Sequence, residues 1–169
     1  MRRLLDGLYD GAAWLAALAM VGVLAMVLLS IVSRQAGFHV PGTDAYAGYC
    51  MAAAGFLALA HTLRRGEHIR VTLLLGRLQG RARQALELWA LSAAVLLAGL
   101  LAFYAARLAW VSRSLNDIST SSDATPLWIP QLAFGVGAVV LFIAFLDEWV
   151  QQLRGRRAAA QPAEALRNE

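Results

Sequence analysis

The chain has 169 residues, 59% of them hydrophobic and only 15% charged, with a mean hydropathy of +0.56. Ordinary soluble domains are about 45–50% apolar and about 25% charged, so an ordinary soluble enzyme is excluded and the length holds the chain to one small membrane domain. A net charge of +4 and a pI near 10 would suggest nucleic acid in a soluble chain, but all fifteen basic residues are arginines lying between and beyond the apolar runs. That is how a membrane protein distributes basic charge, and no nucleic-acid partner is expected.

The first uncharged run, Ala12 to Val32, holds 21 residues between Asp10 and Arg34. At ~1.5 Å per residue it can cross a hydrocarbon core of about 30 Å. Arg2 and Arg3 resemble the start of a signal peptide, yet the run exceeds the ~7–15 apolar residues of such segments and no small-residue cleavage site follows Ser30. An uncleaved span is expected. The second run, Ala45 to Leu63, and the third, Leu88 to Ala106, each carry 19 uncharged residues. The fourth lies between Asp123 and Asp147, where Pro130 at a first-turn position predicts a helix from about Ile129 to Val150 and leaves Pro126 in the approach loop. The fold expected is an all-α integral membrane protein with transmembrane helices over about 12–32, 45–63, 88–106 and 129–150, forming one domain of residues 1–153. Residues 154–169 mix Arg, Ala, Gln, Pro and Glu without periodicity, and a disordered tail is predicted there.

Arginines number two before the first helix, one between the first pair, six in Arg64 to Glu87, two in Arg107 to Thr125 and four after Leu153, so alternate segments sum to twelve against three. The positive-inside bias places both termini and the middle loop in the cytoplasm. Trp14, Trp89 and Trp149 fall near the inner ends, with Tyr46, Tyr49, Tyr104, Trp110 and Trp128 near the outer ones, as aromatic belts require. From Arg70 onward, Val71, Leu74, Leu75, Leu78, Ala82 and Ala85 recur at helical spacing, with Arg77 and Arg81 one turn apart. This is the pattern of an amphipathic surface helix between helices 2 and 3, its Arg70, Arg77 and Arg81 turned to anionic phospholipids. Gly76 and Gly80 oppose it by about 1 kcal/mol each, and a solvated charged loop is the alternative.

The uncharged runs contain no acid, arginine or histidine except His61, and intramembrane ionisable groups are what ion pathways and enzymes keep. His39, His61 and His68 do not form a pair at matched depth for haem, so His61 is expected to be a satisfied interfacial side chain. The lone cysteine, Cys50, allows no intramolecular disulfide, and no catalytic triad, phosphate loop or metal-spaced carboxylate cluster is found. No cofactor is expected in this chain. Small residues do recur at i, i+4 and i+7, as Ala12, Ala16 and Ala19 in the first helix and Gly48, Ala52 and Gly55 in the second. Such faces allow close helix approach, although alanine is also a common filler in membrane helices. Arg34 and Asp44 either pair across the first two helices or remain separate solvated charges.

At the end of the second helix the sequence reads Arg65-Gly66-Glu67-His68-Ile69-Arg70-Val71, after Ala-rich 52–60. Further on, Ser119-Thr120-Ser121 precedes Pro126-Leu127-Trp128-Ile129-Pro130-Gln131 and a glycine-bearing fourth helix. In this order among four helices, from about Leu5 to Val150, the chain resembles the small membrane subunit of tripartite ATP-independent periplasmic (TRAP) transporters, the DctQ-like family. Two departures stand out. Thr43-Asp44 opens the second helix where the family often has a tryptophan and paired glutamates, and Gly135-Val136-Gly137 replaces a proline-x-glycine, implying a less kinked fourth helix.

The resemblance implies a multi-pass protein of the bacterial inner membrane that packs beside a large DctM-like subunit. The sodium ions would bind in that larger subunit, and a periplasmic solute-binding protein would deliver an organic acid. It makes the chain a non-catalytic scaffold, with the alternatives being the small subunit of a tripartite tricarboxylate transporter or the anchor subunit of an unrelated enzyme complex. The residues expected to form structural motifs or the partner interface are Asp44, Gly48, Ala52, Gly55, Arg65, Gly66, His68, Ile69, Val71, Pro126, Trp128 and Pro130. Within this set, Arg65 to Val71 is read as a corner, Gly66 permitting a tight exit from the helix and His68 hydrogen-bonding nearby backbone.

Overall fold

The computed structural model describes residues 2–64 and 80–154. Among the described residues there are four helices: α1 (Arg2–Gln35), α2 (Thr43–Arg64), α3 (Gly80–Ser114) and α4 (Trp128–Leu153). All four are long and apolar enough to cross a membrane. Each contains its expected span, but α1 and α3 overrun theirs by several turns. Nothing in the flanking sequences stops them: Arg81 to Glu87 is Arg-Ala-Arg-Gln-Ala-Leu-Glu, a run of good helix formers without proline or glycine. The Nε of Arg83 donates to Glu87 Oε1 at 3.1 Å, an i,i+4 pair that supports the added turns.

This corrects one expectation. Periodicity places Arg81, Ala82 and Ala85 in a separate surface helix, yet they belong to α3 and continue into its apolar part. The rest of that predicted element, with Arg65, Gly66, His68, Ile69, Arg70, Val71 and Arg77, lies outside the described residues, as does the expected tail beyond Arg154.

The helices form a row rather than a closed bundle. α2 packs along both α1 and α4, α4 packs along α2 and α3, and α1 meets α4 only narrowly, giving the order α1, α2, α4, α3. A four-helix row leaves two broad faces open. Only 11% of the most apolar stretch of α1 and 33% of that of α4 is buried within the chain.

Contact inside the row is made by small residues. Ala54, Ala60, Ala98, Ala102, Ala105, Ala109, Ala138 and Ala144 are all buried, so backbones approach closely in a medium that offers no hydrophobic drive for helix association. One cluster joins α1, α2 and α4 through Tyr9, Ala12, Ala16, Leu57, Ala60, Leu63, Val140, Leu141 and Ala144. A second joins α3 and α4 through Ala102, Ala105 and Ala138, with Phe134 and Phe142 against it. The tightest approach of one helix to another at a described glycine is at Gly137, where a Cβ would lie 2.7 Å from the carbonyl carbon of Phe56. The Phe56 ring then meets Phe134 edge-on, centroids 4.3 Å apart.

The expected face of Ala12, Ala16 and Ala19 is used as predicted, the first two buried and Ala19 half-buried. Gly48, Ala52 and Gly55 are not used inside the chain: all three are exposed, and a Cβ at Gly48 or Gly55 would meet nothing within 4 Å. α2 faces its neighbours through the opposite side, with Cys50 Sγ 3.0 Å from where a Gly22 Cβ would stand, and with Ala54, Leu57 and Ala60.

Candidate functional site

Two regions stand out: the open face of α2, and the end of the row that carries residues 36–42 and 115–127, here the loop end. The loop end is built from two turns that glycine and tight backbone bonds make possible. α1 closes with Ala36 N–H on Val32 O at 2.9 Å and Phe38 N–H on Ser33 O at 3.1 Å, Gly37 sitting at φ +74°. The chain then reaches Gly42 at φ +82°, a conformation open to glycine, and its N–H donates to Ser122 Oγ at 3.0 Å. There is no room for a side chain: a Cβ on Gly42 would stand 2.6 Å from Asp123 Cβ.

The second turn is a short hairpin. Ile118 pairs antiparallel with Pro126, Ser119 N–H donates to Thr125 O at 2.8 Å, and Leu127 N–H donates to Asp117 O at 3.0 Å. Asn116 and Ala124 both take positive φ at its bends. Two tyrosines one turn apart on α2 bind it to the row. Tyr49 OH donates to Asp123 Oδ2 at 3.1 Å, and Thr125 Oγ1 donates to Tyr46 OH at 3.1 Å, the two rings meeting edge-on. Hydroxyls around Asp123, first Thr125 and then Ser119 and Tyr49, hold its carboxyl below the usual carboxylate range against a smaller opposing effect of desolvation.

The expected residues fall in distinct places. Asp44 opens α2 and pairs with Arg34 at 3.5 Å across the first two helices while accepting from Ser30 Oγ at 3.4 Å. The Arg34 and Asp44 side chains are 73% and 81% exposed, so the pair fixes little energy. Pro126 sits in the hairpin and accepts from Ile129 N–H, Pro130 lies in the first turn of α4, and Trp128 lies under the Arg113 guanidinium at 5.3 Å. His61 lies half-buried with Nδ1 3.8 Å from Asp10 Oδ1, so it has a neighbour in α1.

Asp123, Ser122, Tyr46 and Tyr49 carry the loop end, and the sequence reading gave the tyrosines only a belt role. Their one local signal is the i,i+3 aromatic pair opposite a Ser-Ser-Asp turn. Among the described residues no group of three or more His, Cys, Asp or Glu is placed to hold a metal ion. At the opposite end, Asp6, Tyr9, Asp147, Glu148 and Gln151 line a cavity of about 190 Å³ between α1 and α4.

Four helices of membrane length, α1 and α3 running towards the loop end and α2 and α4 away from it, tied by a polar cap at that end, define a small multi-pass membrane protein. The family model described as tripartite ATP-independent periplasmic transporters, DctQ component, matches residues 23–155, and the chain belongs to that family. It is thus the small membrane subunit of a TRAP transporter, a family that implies association with a large DctM-like subunit and a periplasmic binding protein. A search of the curated proteins finds no match.

Proposed function

We propose that this subunit is a non-catalytic scaffold for the large DctM-like subunit, supporting sodium-coupled uptake of an organic acid that the periplasmic binding protein delivers. The observation that carries this reading is the row itself. Among the described residues the helices lie in a row that encloses no passage along its axis, and the uncharged runs offer a carboxylate or sodium ion no acid, arginine or histidine but His61. The open face of Asp44, Gly48, Ala52 and Gly55 supports a seat for a helix of the large subunit, since small residues permit the closest backbone approach.

In this reading the loop end faces the periplasm of a bacterial inner membrane and both termini face the cytoplasm, as the arginine distribution favours. In a Cys50→Ala background, Ser121→Cys should react with an impermeant thiol reagent from outside and Gln79→Cys should not. Labelling of Gln79→Cys from outside would reverse the orientation.

Reconstitution tests the scaffold. Liposomes with this subunit alone should show no uptake, those with the large subunit alone should be deficient, and the pair with binding protein should restore sodium-driven uptake. Uptake by this subunit alone would sink the proposal, as would full activity of the large subunit without it.

A further inference from the structure

A groove of about 490 Å³ opens sideways between α3 and α4 in the half of the row away from the loop end. Its walls are Val95, Leu96, Leu100, Phe142 and Leu146, and Gly99 lets the Phe142 ring lie close against the α3 backbone, a Cβ there standing 3.1 Å from that ring. One end is closed by a polar pair across the two helices. Trp149 Nε1 donates to Ser92 Oγ at 2.9 Å, and Ser92 Oγ donates in turn to Leu88 O at 2.8 Å. About 7.5 Å further along α3 a charged band follows, Arg83 against Glu87 and Gln152 Nε2 on Glu87 Oε2 at 3.1 Å, with Arg154 exposed at the end of α4.

We propose that this groove seats one acyl chain of a membrane phospholipid whose headgroup lies over the Arg83, Glu87 and Arg154 band. The order along the groove is that of a phospholipid: charge of both signs, then an indole N–H at the boundary, then hydrocarbon. A zwitterionic or anionic headgroup finds a counter-charge in the band, and the apolar depth offers a polar ligand no donor or acceptor.

The test uses the assembled transporter in nanodiscs, with Trp14, Trp89, Trp110 and Trp128 replaced by Phe so that Trp149 is this subunit's sole tryptophan, its emission being read as the difference from the same complex that also carries Trp149→Phe. The probe is phosphatidylcholine brominated midway along one acyl chain. Trp149 emission should fall at least twofold relative to unbrominated lipid, and Gly99→Leu should at least halve that quenching by filling the groove. Val95→Phe, which narrows the groove one turn away on the same α3 wall without touching the glycine, should act alike, while the volume-conserving Leu96→Met should leave quenching unchanged. Absence of quenching would show that protein covers the groove and would overturn the proposal. Quenching that survives both filling substitutions would reduce the contact to ordinary boundary lipid and overturn it equally. Uptake by the same complexes reports the scaffold reading separately.

Discussion

At the loop end, Tyr46 and Tyr49 reach from α2 to Thr125 and Asp123 through single hydrogen bonds. Farther along the same helix, the Phe56 backbone packs directly against Gly137 of α4. The two regions hold α2 to the hairpin that precedes α4 and to α4 itself by opposite means. The cap can form polar bonds because its loop is outside the spans, where each such bond competes with water and nets about 0.5–1.5 kcal/mol. The seam relies on fit, which has no substitute when the surrounding solvent is itself apolar. Damage to the seam should therefore be large and global, and damage to the cap small and local.

The largest effect is expected from Gly137→Leu. With Phe56 backbone already at 2.7 Å from a Cβ position, α2 and α4 must separate, and overpacking of this kind costs typically about 1–3 kcal/mol or more. Thermal unfolding of the purified chain in detergent should shift down clearly, and an unchanged Tm would show that the seam is looser than described. Next comes Gly42→Ala, which combines positive φ with a 2.6 Å approach to Asp123 Cβ. A cost of about 1–3 kcal/mol is expected there, read as faster proteolysis within residues 115–127 with little change in global unfolding.

A smaller effect is expected from Asp123. Its folded carboxyl titrates below its unfolded value, so the stability it adds is present above the unfolded value and is lost as pH falls through the folded one. Protease protection of the hairpin should be flat from neutral pH and decline only below about pH 4. Asp123→Asn should be less protected at neutral pH and lack that decline. The smallest effect belongs to Arg34 and Asp44, whose exposure limits a double-mutant cycle to a coupling of about 1 kcal/mol or less. A coupling several times larger would make the cap more than a solvated rim.

What could be read ahead of the structure follows the same division. The four helices, the α1 alanine face and the start of α4 just before Pro130 depend on residues close in sequence, and periodicity reports them, whereas charge spacing leaves Arg34 and Asp44 either paired or apart until the structure brings them to 3.5 Å. The row order is not reported, since each apolar helix presents similar residues all round. Periodicity singled out Gly48, Ala52 and Gly55 but could not say whether a small-residue face packs within the chain or outside it. Tyr49 and Asp123 are 74 residues apart, and Gly42 and Ser122 are 80 apart, so no local pattern links them. The overrun of α3 was obscured by a plausible surface helix drawn through Arg81 and Ala85.

The row has a thermodynamic consequence. A bundle of the same helices would hide much of its apolar surface in its own interior, whereas here most of each span is left for something else to cover. Folding equilibrium and association are therefore linked by mass action: a partner that binds only the folded row adds RT ln(1 + [L]/Kd), about 2.7 kcal/mol at a hundredfold excess over Kd. The melting temperature of this subunit is then a property of its concentration and company as much as of its sequence.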